Sequence, residues 1–153
     1  MTKPITHDTF TIERTFRANR DRAFRAWSDI RLKEKWFAGP AGRWSIVKRE
    51  LDFSVGGSEV AVGRFNDGDT SGFYATYQDI IPNERIVYSY RMYVNDILLS
   101  VSLATVEFFD EGAGSKTIFT EQGVYFTDSD AAVSRRQGSE MLMDKFVNSL
   151  EMN

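Results

Sequence analysis

The chain contains no cysteine and a single histidine, His7, close to its first residue. Without thiols there is no disulfide, no thiolate metal site and no cysteine nucleophile. With one imidazole placed ahead of the patterned sequence, a histidine-based triad or dyad lacks its base. A zinc centre lacks its nitrogen and sulfur ligands for the same reason. No apolar run approaches the ~18 residues of a membrane span, and the first residues show no basic-then-apolar leader pattern. A cytoplasmic protein is the expectation. Positive charge is not in excess: 19 Lys and Arg stand against 22 Asp and Glu, a net charge of -3. That balance argues against a general nucleic-acid binder. The basic clusters Arg17-Arg20-Arg22-Arg25 and Arg135-Arg136 alternate with acids and read as solvated helix faces. No glycine loop followed by Lys-Ser or Lys-Thr occurs, and no dinucleotide fingerprint. The expectation is therefore no metal, no cofactor, no nucleic acid and no membrane.

What the chain has in plenty is aromatic surface. Twelve Phe, six Tyr and three Trp make 14% of 153 residues, more ring area than a minimal core requires. The stretch Thr76–Tyr90 concentrates it: two alternating strands flank a Pro82-Asn83 turn and carry large rings at a spacing of two. Alternation continues along most of the chain. It predicts strands over Thr9–Phe16, Ser45–Phe53, Ser58–Phe65, Gly72–Ile81, Arg85–Tyr93, Leu98–Phe109 and Lys116–Val124. The short polar connections between successive strands predict an antiparallel meander. Between the first two strands lie two short helices. Asn19 caps one, with Phe24 and Trp27 facing inward. Asp29 caps the other, with Leu32 and Trp36 on one face. A long helix follows from about Asp128 to Glu151, capped by Thr127 or Asp128. Its apolar stripe comprises Leu142, Met143, Phe146, Val147 and Leu150. Gly138 falls on that stripe one turn earlier. It predicts either a close contact or open space beneath the helix. The fold class is α+β, with a curled sheet and the final helix laid over its concave face.

The order of these elements resembles the START-like, helix-grip superfamily, also called SRPBCC, polyketide cyclase or Bet v 1-like. Within it, the chain is most similar to the family related to the activator of the Hsp90 ATPase. The resemblance rests on Phe10-x-Ile12-x-Arg14-x-Phe16, Phe24-x-Ala26-Trp27-x-Asp29 and Lys35-Trp36-Phe37. It continues through Tyr77-Gln78-Asp79-Ile80, Pro82-x-Glu84-Arg85-Ile86-Val87 and Thr120-Glu121-Gln122-Gly123. It implies one helix-grip domain over residues 8–150, a curved seven-stranded antiparallel sheet gripping the C-terminal helix, and a cavity between them. The fold hosts carriers, cyclases, receptors and chaperone regulators, so it does not choose an activity. The eukaryotic activator carries a further N-terminal domain for which this chain leaves no room.

Several residues are expected at such a cavity. On the strand over 116–124, the family's inward parity corresponds to Thr117, Phe119 and Glu121. Ile86, Tyr88, Tyr90 and Met92 share the inward parity of the neighbouring hairpin. Trp36, Phe37 and Trp44 are expected at the helical end of the cavity, with Gly138, Met141 and Leu142 on the helix side. Glu121 is the one catalytic candidate. A buried carboxyl suits a general acid or base, but an ion pair with Arg14 or a solvated rim position also accounts for it. The leading expectation is a protein that binds a hydrophobic or aromatic small molecule and carries no strong catalytic signature. The alternatives are a chaperone-regulating or stress-response interaction protein, and a cofactor-free cyclase or hydrolase using Glu121 and a tyrosine. A homodimer covering an edge strand is a further partner expectation.

Overall fold

In the computed structural model, which describes residues 4–127 and 129–151, the chain forms one antiparallel sheet and three helices. In chain order these are β1 (Thr6–Phe16), α1 (Arg20–Ser28), α2 (Ile30–Lys33), β2 (Trp44–Leu51), β3 (Ser58–Phe65), β4 (Thr70–Ile81), β5 (Arg85–Val94), β6 (Ile97–Glu111), β7 (Gly114–Tyr125) and α3 (Ser129–Glu151). The strands are arranged β1-β7-β6-β5-β4-β3-β2. β2 through β7 are a meander, and β1 joins its far side by pairing with β7, so the curved sheet stays unclosed with β1 and β2 at its edges. The helix-grip arrangement expected from the sequence is the one observed.

Most strands run one to three residues longer than the alternation indicates. β1 starts at Thr6 because its ladder with β7 continues to Thr6 opposite Tyr125. β3 keeps its expected bounds, and β2 begins one residue early but is cut short at its end. It ends at Leu51, and Phe53 leaves the ladder to pack edge-on against Phe24 and Tyr77. Two tight turns place Asn83 and Asn95 at positive φ, 65° and 54°, a conformation asparagine tolerates better than most residues.

α1 is capped as its sequence indicates, with the Asn19 side chain accepting from the Arg22 amide. The cap of α3 expected at Thr127 or Asp128 falls partly outside the described residues, which omit Asp128. α2 departs from the expected pattern. Its buried side chain is Lys33, at 1% exposure, whereas Leu32 is only half-buried. The apolar core joins Phe10, Ile12 and Phe16 of β1, Trp27 of α1, Trp36, the inward residues of β4 to β7, and Met143, Phe146 and Leu150 of α3. Phe146 sits at its centre, in contact with the rings of Phe16, Trp27 and Trp36. α3 therefore packs tightly by its C-terminal half, above β1 and α1. Among the described residues, no helix is long and apolar enough to cross a membrane.

Candidate functional site

The N-terminal half of α3 stands away from the sheet. Between it, β4, β5 and β7 lies a cavity of about 630 Å³. Strand alternation builds its wall. β5 turns Tyr88, Tyr90 and Met92 inward, β4 contributes Phe73, and β7 contributes Phe119, Glu121 and Tyr125. Trp27, Trp36 and Phe37 form one end, and Gly138, Met141 and Leu142 form the helix side. The rings support each other at ordinary edge-to-face and tilted distances, as with Phe37–Phe73 at 4.9 Å and Phe73–Tyr90 at 4.7 Å. A Cβ built on Gly138 would meet nothing within 4 Å. Of the two roles its position allows, the glycine leaves space rather than making a close contact.

Of the residues expected at the cavity, Trp36, Phe37, Tyr88, Tyr90, Phe119, Glu121, Gly138, Met141 and Leu142 are brought together along its lining. Trp44 is not among them. Its indole lies across the backbone of Gly39 and Gly63, where no side chain intervenes, and its Nε1 donates to Ser71 Oγ at 3.3 Å. It fastens the loop between α2 and β2 onto β3.

The polar centre of the cavity is a chain of hydrogen bonds. Arg135 of α3 donates from Nη1 to the Tyr90 hydroxyl at 2.9 Å, and that hydroxyl donates to Glu121 Oε1 at 2.7 Å. Arg135 also donates from Nη2 to Ser100 Oγ at 2.7 Å, and its guanidinium lies over the rings of Tyr90 and Tyr125. The second carboxylate oxygen, Glu121 Oε2, lies 3.6 Å from Arg135 Nη1, outside hydrogen-bond reach. Burial pushes the Glu121 carboxyl above the usual range, and Arg135 opposes that only in part. Burial, reinforced by Glu121, raises the Tyr90 phenol well above its ordinary value, so it remains a donor. Tyr125 is pushed up to about 12 by the same causes.

Two expectations are corrected here. Glu121 does not pair with Arg14, which lies at the sheet edge and binds Asp144 at 2.8 Å. Arg135 is not on a solvated face. Its neighbour Arg136 is half exposed, but Arg135 turns inward because the Tyr90 hydroxyl, Ser100 Oγ and the Glu121 carboxyl beneath it offer acceptors to its guanidinium.

A second buried cluster lies behind the aromatic wall and escaped the sequence reading. Glu59 of β3 accepts at Oε1 from Lys33 Nζ at 2.7 Å and from the Tyr77 hydroxyl at 2.6 Å, and at Oε2 from Arg49 Nη1 at 2.7 Å. Burial alone would raise the Glu59 carboxyl, but Lys33 and Arg49 together hold it below the usual range. Burial lowers Lys33 despite Glu59. The Lys33 ammonium also lies within 4.8–6.0 Å of the ring centres of Phe37, Trp27, Tyr88 and Trp36, a set of cation–π contacts. The signal was present, since Glu59 shares a parity with Ala61 and Gly63 just as Glu121 shares one with Phe119. Among the described residues, no group of acids and histidine is arranged to hold a metal ion.

The same architecture occurs in solved structures. An uncharacterised protein from Rhizobium leguminosarum is 37% identical, matched over 100% of both chains with a TM-score of 0.93. A protein from Rhizobium loti is 36% identical, covering 95% of this chain and 99% of that one, with a TM-score of 0.87. A protein from Chromobacterium violaceum, at 22% identity and a TM-score of 0.78 over 95% and 98% of the two chains, shares the fold. No curated protein matches the chain significantly. The model of the family described as activator of Hsp90 ATPase homolog 1-like protein matches residues 17–151, which takes in α1, the sheet from β2 to β7, both buried glutamates and α3. The chain belongs to that family.

Proposed function

We propose that the chain is a cytoplasmic binding protein for a hydrophobic or aromatic small molecule, held in the cavity beneath α3. The observation that carries this reading is the cavity itself. Its volume of about 630 Å³ falls within the ~300–1,000 Å³ typical of small-molecule sites. Its surface is mostly rings and aliphatic side chains, with one polar cluster at Tyr90, Glu121 and Arg135 to orient an occupant. The neutral dye N-phenylnaphthylamine should brighten on binding, and Gly138→Phe, which adds a ring on the helix side of the lining, should weaken binding at least about tenfold. Equal dye binding by the folded variant overturns the reading. Native mass spectrometry of protein taken from its own cells would then identify a retained molecule by its mass.

A specific observation favours a second reading, in which the cavity is catalytic. Glu121 is a carboxyl held toward its neutral form, in contact with a phenol, on a cavity wall. That pairing suits proton transfer to or from a bound substrate. Glu121→Gln should then abolish turnover while dye binding persists. Unchanged turnover removes Glu121 from any mechanism.

A further inference from the structure

Among the described residues, four charged side chains line the cavity, and they are unequal in sign: Arg43, Arg135 and Lys145 against Glu121. Arg135 is already committed to Tyr90, Ser100 and Glu121. The two other cations have no counter-charge, since neither Arg43 nor Lys145 forms an ion pair among the described residues. Lys145 Nζ donates to the Ala38 carbonyl at 3.2 Å, a bond that leaves its charge unbalanced. The same bond sets Lys145 of α3 against the loop that carries Arg43. Behind the wall the imbalance repeats, with Lys33 and Arg49 around the single carboxylate of Glu59. Phe37 and Tyr88, over which Lys33 lies at 4.8 and 5.8 Å, are themselves cavity rings.

The whole chain carries a net charge of -3. The cavity is thus locally cationic, three basic residues to one acid along its lining, in a protein that is acidic as a whole. Low-dielectric walls focus such a field toward the opening. A cationic occupant would meet like charge, and the sole acid inside is already paired. We propose that the cavity takes an amphipathic anion. Its aromatic or aliphatic body lies against the rings, and a carboxylate or comparable single negative headgroup sits at the mouth with Arg43 and Lys145. The assignment rests on the cavity being a binding site, and it adds the chemical class of the ligand.

A matched pair of dyes tests it. Anilinonaphthalene sulfonate and N-phenylnaphthylamine share their rings and differ by the sulfonate. At low salt the sulfonate should bind about five- to tenfold more tightly than its neutral parent, the scale of two partly exposed charge contacts. The preference should shrink as salt is raised. In the double variant Arg43→Gln, Lys145→Gln the preference should vanish, while the neutral dye binds as before. Glutamine at 145 retains an N–H donor for the Ala38 carbonyl, and retained neutral-dye binding reports that the double variant is folded. Equal binding of both dyes by the unaltered protein overturns the anion assignment, and so does a preference that survives in the double variant. If Gly138→Phe leaves both dyes bound as before, the cavity reading itself falls.

Discussion

Tyr90 and Arg135 meet across the cavity, hydroxyl to guanidinium at 2.9 Å, although 45 positions separate them in the chain. The contact ties the loosely seated half of α3 to the centre of the sheet. It also fixes the direction of the hydrogen bonds, since a hydroxyl that accepts from Arg135 is free to donate to Glu121.

That geometry sets a pH dependence. Glu121 is raised when folded, so the native state holds its proton to higher pH than the unfolded chain does. Its contribution to stability is fully present below the unfolded value near 4.5 and is lost as pH rises through the folded value. Relative to Glu121→Gln, which cannot ionise, the unaltered protein should lose stability as pH rises from 4.5 toward neutrality. Urea denaturation of both proteins across that range measures the difference. A difference that runs the other way contradicts the burial-dominated environment described for Glu121.

The Lys33–Glu59–Arg49 trio should respond unequally to loss of its members. Glu59→Gln leaves two buried cations without a counter-ion and should cost about 3–5 kcal/mol. Lys33→Met leaves the Arg49–Glu59 pair intact and puts an apolar chain of similar length among the four rings. It should change stability by less than about 1.5 kcal/mol in either direction. Denaturation midpoints of the two variants decide this, and equal losses would mean that Lys33 is as indispensable as Glu59.

Gly138→Ala should stabilise the protein by about 0.5–1 kcal/mol. The position lies within a helix and a methyl group meets no neighbour there. The substitution therefore removes only the entropic cost of a helical glycine. Thermal denaturation of the ligand-free protein measures it.

At Gly63 the opposite holds. A Cβ would overlap the Trp44 indole at Cε2, so Gly63→Ala must displace the indole. We expect a loss of about 1–3 kcal/mol and a red-shifted tryptophan emission as Trp44 becomes wetter. Unchanged emission would show that Trp44 is not held on β3.

The meander was legible because alternation and short turns are local; on β7, where Ile118 and Val124 compete with Phe119, the inward parity came only with the family resemblance, and the structure buries Thr117, Phe119 and Glu121 as that resemblance implies. On that parity Glu121 stands out as an acid among inward-facing residues. Its partner was not found, because Arg135 lies on a mixed-charge helix whose sequence looks solvated and whose inward turn depends on acceptors at Tyr90, Ser100 and Glu121 of three different strands. Lys33 was missed for a related reason. The spacing of Leu32 and Trp36 suggests the apolar face of α2, and only the position of Glu59 in the folded sheet makes a lysine the better occupant. Trp44 was misplaced because an aromatic residue beside a cavity loop is indistinguishable, in sequence, from one that pins the loop to the sheet.

The two halves of α3 are thus secured by different forces. Met143, Phe146 and Leu150 hold one end by apolar contact, which water cannot replace. The end above the cavity has the buried Ala132 and the hydrogen bonds of Arg135, and water or an entering polar group can replace those bonds at small net cost. The continuous helix is therefore held by two unlike kinds of contact along its length. An occupant that competes for Tyr90 or Arg135 would lift that end and enlarge the space it occupies, while the hydrophobic anchor stays seated.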